Sequence, residues 1–402
     1  MKKQTIRDLD LKRKSVIVRV DFNVPLDSSA KITDASRIEK TIPTIQYLLD
    51  QNAKLILMSH LGRPDGKPSQ KYSLKPAAEY LSARLKQTVE LQPDCTGSAV
   101  ESRARSLKNG EIILLENLRF HPEEEKNDSA FARHLASLAD VYVNDAFGTA
   151  HRAHASTEGI AHYLPAVAGL LLAKEIEYFD KALENPKRPF ATILGGAKVT
   201  DKIKVIGNLL TKVDSLLIGG AMAYTFLKAC GHQVGKSKVE EAGLAIAKTA
   251  MAKAKQKNVE LLLPLDHIVT QQISDQTQTK TSGVDIADGW IGVDIGPQTV
   301  TRFQQQLKNS KTVIWNGPMG IFEMEPFSNG TKQIAEFLAG LDATTIIGGG
   351  DTASAVSQFG VEDKMSHVST GGGASLEYLE GTMLPGIQVL RDKNKAGVSS
   401  HV

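Results

Sequence analysis

In the first half of the chain, arginine recurs just past the ends of hydrophobic runs. Val20-Asp21-Phe22-Asn23 closes the run at 15–20, and His60-Leu61-Gly62-Arg63 closes the run at 54–59. Arg119 follows the run at 111–115, Arg152 lies between His151 and His154, and Arg37 opens a helical stretch with Asp34 as its candidate N-cap. Taken singly, such an arginine is most often a solvated surface residue. Together they suit a small, multiply charged anion, because a guanidinium fork binds phosphate and carboxylate oxygens in bidentate fashion. His60, His151 and His154 leave two readings open, acid–base chemistry or anion binding with supporting hydrogen bonds.

The second half carries a different signal. Short apolar runs at 191–194, 216–218, 312–315, 344–347 and 367–370 each meet glycines: Gly195-Gly196, Gly219-Gly220, Asn316-Gly317, Gly348-Gly349-Gly350 and Gly371-Gly372-Gly373. Glycine lets backbone amides approach a phosphate, and a following helix N-terminus adds a favourable dipole. Several such loops together predict a nucleotide-sized anion site. The stretch Gly231-His232-Gln233-Val234-Gly235-Lys236-Ser237 imitates a phosphate-binding P-loop, but it is one residue short between its glycines and follows a helical stretch. It reads as a surface loop. The Asp-Phe-Gly triplet of protein kinases is missing, and no Cys/His cluster has metal-site spacing.

The elements that must position these groups alternate between strand and helix. That pattern predicts βαβ units and parallel sheets, whose ligands bind outside the carboxyl ends of the strands. At 170–183, Ala173, Ile176, Phe179 and Leu183 recur at helical spacing before Pro186 and Pro189. This predicts a helix connecting two domains; on pattern alone an ordinary crossover helix is the alternative. A length of 402 residues is too great for one core. The net charge of +3 is spread without a basic block, which argues against nucleic acid or an anionic membrane as the main partner. Cys95 and Cys230 are far apart, as expected of free thiols in a reducing compartment. The charged N-terminus leaves no room for a signal peptide, and no apolar run is long enough to span a bilayer, so the cytoplasm is expected.

The segments VRVDFNVPLD, MSHLGRPDGK, LLENLRFHPEEEKND, VNDAFGTAHRAHAS, ILGGAKVTDKI, WNGPMGIFE, IIGGGDTASAV and STGGGASLEYLEG occur in this order. Over nearly its whole length the chain resembles the phosphoglycerate kinase family. The resemblance implies an α/β fold of two doubly wound parallel-sheet, Rossmann-like domains joined by a helix. A phosphoglycerate-binding domain over 1–170, a connecting helix and hinge over 171–188, and a nucleotide-binding domain over 189–402 are expected. The last residues are free to pack back on the first domain.

The family's substrate set maps onto Asp21, Asn23, Arg37, His60, Leu61, Gly62, Arg63, Arg119 and Arg152. Its nucleotide set maps onto Lys198, Lys202, Gly219, Gly220, Val293, Asn316, Glu325, Gly349, Gly350, Asp351 and Thr352, with Asp351 the metal ligand for Mg2+ carried with ATP or ADP. Arg37, Lys198, Gly372 and Gly373 fall on the catalytic positions, and one helical turn between Lys198 and Lys202 lets both face one site. The segment around Asp266 and His267 and through 271–280 departs from the family pattern and reads as a variable loop. The implied activity is reversible phosphoryl transfer between 1,3-bisphosphoglycerate with ADP and 3-phosphoglycerate with ATP. It would run in line after hinge-bending domain closure, in a cytoplasmic monomer. A scaffold protein that kept the fold without the chemistry, or a kinase for another small molecule, are the competing readings.

Overall fold

The computed structural model describes residues 2–393. The chain forms two compact units. One runs up to Glu177 and takes in the chain again from Met383; the other is Tyr178–Thr382. The division falls inside a single helix, Leu170–Glu184.

The N-terminal unit is built on six parallel strands: β1 (Ser15–Arg19), β2 (Lys54–Met58), β3 (Val89–Leu91), β4 (Ile112–Leu114), β5 (Val141–Asn144) and β6 (Ala166–Ala168), in the order β3-β4-β2-β1-β5-β6. β1, β2, β4 and β5 are near-continuous apolar runs because helices cover both faces of the sheet and leave no side for solvent. Val16, Val18, Leu55, Leu57, Ile112, Leu114 and Val143 belong to one buried core. The chain runs outward from β1 through β2 and later crosses to β5 on the other flank. Strand order therefore reverses between β1 and β5. The C-terminal segment completes this unit: the buried Lys3 donates to the Leu390 carbonyl at 2.8 Å and pairs with Asp392 at 2.8 Å.

The C-terminal unit repeats the plan with β7 (Phe190–Leu194), β8 (Ser215–Ile218), β9 (Glu260–Leu262), β13 (Thr312–Asn316), β14 (Thr344–Gly348) and β15 (His367–Val368), ordered β15-β14-β13-β7-β8-β9 and reversing between β7 and β13. It adds an antiparallel sheet of β10 (Asp266–Thr270), β11 (Lys280–Gly283) and β12 (Ile291–Ile295).

Two local readings change. The region of Asp266 and His267 is a buried strand, not a variable loop. The Asp266 carboxylate accepts the backbone N–H groups of Gln298 at 3.0 Å and Thr299 at 2.8 Å, capping the helix Pro297–Leu307. The P-loop imitation is a loop, as expected, and is pinned at two buried residues: Val234 bridges to Ile286, and the Ser237 hydroxyl accepts the Gly292 N–H at 2.8 Å. The helix Ser36–Asp50 takes Ala35 as N-cap; Asp34 accepts the Ser36 N–H at 2.8 Å from one position earlier.

Candidate active site

In the N-terminal unit the candidate residues gather beyond the carboxyl ends of β1, β2, β4 and β5, at the point where strand order reverses. Asp21 follows β1 directly. Its carboxylate accepts Arg37 NH1 at 2.8 Å, which ties a mostly buried carboxylate to a half-exposed guanidinium. Asn23 Oδ1 accepts the Gly62 N–H at 2.9 Å, and Arg119 donates NH1 to the Gly62 carbonyl at 2.9 Å. Gly62 is thus held from both sides at φ +62°, and a side chain there would run into the Tyr72 ring. Arg119 is buried, pairs with Glu125 at 3.0 Å, and has its backbone N–H capped by Asn117 Oδ1 at 3.0 Å. Leu61 is buried and Arg63 is exposed.

His60 lies among these cations. Burial first, and then Arg19, Arg119, Arg152 and Arg37, push it well below the ordinary histidine range. Arg19 NH2 meets its Nδ1 at 3.1 Å. An arginine can only donate, so Nδ1 accepts and the ring carries its proton on Nε2. His154, lowered to about 3 by burial and by Arg119, Arg19 and Arg152, is likewise neutral. His151 is lowered by burial and Arg152, and its Nε2 accepts Arg152 Nε at 3.2 Å. These are neutral histidines among fixed cations, a poor arrangement for a general base and a good one for holding an anion.

Arg19 was not anticipated, because it stands inside the first apolar run. It is fully buried and donates Nε to Ser156 Oγ at 2.9 Å; that hydroxyl donates to the buried Glu124 at 2.6 Å. The only sequence signal is a charge within a strand bounded by valines, which requires a buried partner.

In the C-terminal unit the reversal between β7 and β13 is occupied by Lys202. Its Nζ donates to the carbonyls of Gly195 at 2.6 Å and Asn316 at 2.9 Å. Burial lowers Lys202 to about 8, opposed by the charge of Asp351. Gly195 has no space for a side chain, since a Cβ would collide with the Pro318 carbonyl. The helical turn expected to align Lys198 with Lys202 does not form: Lys198 sits in an exposed loop, and only Thr200–Lys202 makes a 3-10 turn. The two lysines therefore differ, one buried on carbonyls, the other open to solvent and felt by Glu240.

Gly349, at φ +87°, leads into the helix Gly350–Gln358, and Gly371 into the helix Gly372–Leu379. Among the described residues neither N-terminus has a side-chain cap, so amide donors remain at both. The two ends are close, since a Cβ on Gly372 would lie 3.9 Å from Gly350 N. Thr352 is buried, and its hydroxyl accepts the Gly317 N–H at 2.6 Å, holding one glycine loop to the next. Asn316 is 2 % exposed, and among the described residues its Nδ2 has no acceptor. Side chains at Gly348 or Gly349 would approach that nitrogen to 3.2 Å, so the orphan donor faces the glycine loop. Gly219 and Gly220 are equally tight, against Met319 and Gly196; Val293 is buried in β12, and Glu325 is exposed.

A model of the phosphoglycerate kinase family matches residues 6–382. The phosphoglycerate kinase of Moorella thermoacetica is 57 % identical over 394 residues, covering 98 % of this chain and 100 % of the relative. That of Pseudothermotoga lettingae is 55 % identical over 397 residues, with the same coverage. Among solved structures, phosphoglycerate kinase from Coxiella burnetii superposes with a TM-score of 0.88 at 42 % identity, covering 96 % of this chain and 98 % of that one. With sequence and fold in agreement, the chain belongs to the phosphoglycerate kinase family.

Proposed function

We propose that the N-terminal unit holds the phosphoglycerate and the C-terminal unit the nucleotide in the family's reaction, a glycolytic phosphoryl transfer in which a carboxyl group is the acceptor. The observation that carries this division is the orphan Asn316 Nδ2, facing a glycine loop with two uncapped helix N-termini. Such a set of donors suits nucleotide phosphate oxygens. The arginine cluster around His60 suits a substrate with charge at both ends.

In this reading Arg37, Arg63, Arg119 and Arg152 bind 3-phosphoglycerate or 1,3-bisphosphoglycerate, with His60 donating from Nε2. Asp21, Asn23, Leu61 and Gly62 shape the site and aim those groups. Lys202 and the 349–352 loop bind the phosphates of ATP or ADP; Gly219, Gly220 and Val293 line the base site, and Glu325 meets the ribose. Lys198, exposed in its loop, attends the transferring group with Arg37 and the amides at 371–373. Asp351, an exposed carboxylate on the first turn of its helix, is an oxygen donor of the kind magnesium takes, so it fits as the protein ligand of Mg2+. Bound there, the ion would neutralise phosphate charge.

The transfer is in line and forms no covalent enzyme intermediate. Reacting atoms must come within ~3–3.5 Å, which calls for closure when both ligands are bound. We place the enzyme in the cytoplasm, as a monomer. The direct test is calorimetry on Arg152→Ala: 3-phosphoglycerate should bind more weakly and MgADP unchanged. Equal weakening of both ligands would remove the division of labour.

A further inference from the structure

We propose that Asp94, Cys95 and His121 form a binding site for one thiophilic divalent cation of the zinc class, separate from the nucleotide's metal. Asp94 and Cys95 lie in the loop after β3, and His121 lies between the 3-10 turn Leu118–Phe120 and the helix Pro122–Glu125. β3 and β4 are parallel neighbours, so both segments leave the sheet at its carboxyl end. A carboxylate oxygen, the thiol sulfur and an imidazole nitrogen all lie within 4.8 Å of one another. Tetrahedral zinc, with bonds of ~2.0–2.3 Å, asks its ligands to stand roughly 3.3–3.8 Å apart. A modest contraction therefore closes the site.

Two of the three ligands are already aimed. His121 Nε2 meets Asp94 Oδ1 at 2.7 Å, and that oxygen also accepts the Cys95 N–H at 2.6 Å. The imidazole is steadied by stacking on Phe131, with ring centroids 5.5 Å apart. Exposure is graded along the site: the Asp94 and His121 side chains are 45 % and 27 % exposed, while Cys95 is fully buried. A cation would enter past carboxylate and imidazole and meet sulfur at the base, with water completing its shell.

The charges balance, since one carboxylate and one thiolate neutralise a divalent ion and the imidazole stays neutral. A bound ion stabilises the thiolate directly, so Cys95 ionises as it binds the metal. Binding releases the thiol proton to solvent. The His121–Asp94 hydrogen bond gives way as the ring proton passes from Nε2 to Nδ1 by exchange with solvent and Nε2 becomes a ligand.

The experiment uses the full chain, reduced and stripped of metal, titrated with Cd2+ alone. A thiolate-to-cadmium charge-transfer band should saturate at one equivalent and be displaced by Zn2+. It should survive Cys230→Ser, vanish in Cys95→Ser, and need at least ~10–100-fold more Cd2+ in His121→Gln, the loss typical even of a supporting group. The His121 variant alters a partly exposed ring, so the test does not depend on tolerance of change at buried Cys95. No band, a band lost with Cys230→Ser, or one indifferent to His121→Gln overturns the site.

Discussion

In the N-terminal unit the donors gathered beyond the strand ends are side chains, and in the C-terminal unit they are mostly backbone. Around His60 the donors are guanidinium groups, each fixed by a partner of its own: Arg37 by Asp21, Arg119 by Glu125 and the Gly62 carbonyl, Arg152 by His151. Around Lys202 the donors are amides at two neighbouring helix starts, beside Gly195, Gly220 and Gly317, which have no space for side chains. Side-chain forks give directional recognition of a small substrate. Backbone amides give a site that fits phosphate closely, whatever is attached to it. The contrast implies that arginine changes should separate substrate from nucleotide, whereas glycine changes should act through conformation.

The largest break should come at the one exposed lysine of the second site. Lys198→Ala should lower kcat by about 10²–10³-fold, the usual loss for one donor made for the transition state. MgADP affinity should hold, because Lys202 and the 349–352 loop remain. Calorimetry showing an equal loss of MgADP binding would falsify the transition-state role and move Lys198 to the ground state.

On the other unit, Arg152→Lys should raise the KM for 3-phosphoglycerate by roughly 10–150-fold, since a hydrogen bond to a charged group is worth about 1.5–3 kcal/mol. The KM for ATP should stay put. If lysine restores full affinity, the fork geometry is irrelevant and the site senses charge alone. Gly349→Ala sharpens the contrast from the opposite side. At φ +87° a Cβ is strained by about 1–2 kcal/mol, a five- to thirtyfold effect. MgADP binding should weaken by that amount with 3-phosphoglycerate unaffected; no change in MgADP affinity would mean that the loop is not a phosphate cradle.

The same contrast governs what could be read from sequence. The strands buried on both faces, β1, β2, β7, β13 and β14, were legible because such strands are unbroken apolar runs. The three-residue edges β3 and β9 were not, since Val89-Glu90-Leu91 and Glu260-Leu261-Leu262 are too short to show a period. β10 was missed because Asp266 and His267 look like loop residues until a helix cap explains the buried carboxylate. Candidate arginines beyond strand ends could be named by type. Arg19 could not, because its partners Ser156 and His60 are adjacent only in the fold. Four-residue spacing misled at Lys198, because the glycines before it keep that segment out of a helix.

The smallest expected effect concerns Lys202 and follows from its burial on two carbonyls. The folded-state value of about 8 lies below the ordinary 10.5. Between those values the folded unit has given up a proton that the unfolded chain keeps, so stability contributed by this group rises with pH across the window. Nucleotide binding runs the other way. Phosphate oxygens favour the ammonium form and raise its pKa, so binding above pH 8 must draw a proton from solvent. MgADP affinity should therefore fall by about tenfold between pH 7 and 9, the limit for one coupled proton centred near 8. Phosphate itself, with a second ionisation near ~6, is already fully charged over this range. Calorimetry at pH 8.5 in buffers of different ionisation enthalpy should register net proton uptake, and Lys202→Met should abolish both the uptake and the slope. The N-terminal site has no counterpart, since its arginines stay charged and its histidines stay neutral throughout. 3-Phosphoglycerate affinity should thus be flat from pH 7 to 9. A slope there equal to that for MgADP would assign the titration to a group other than Lys202.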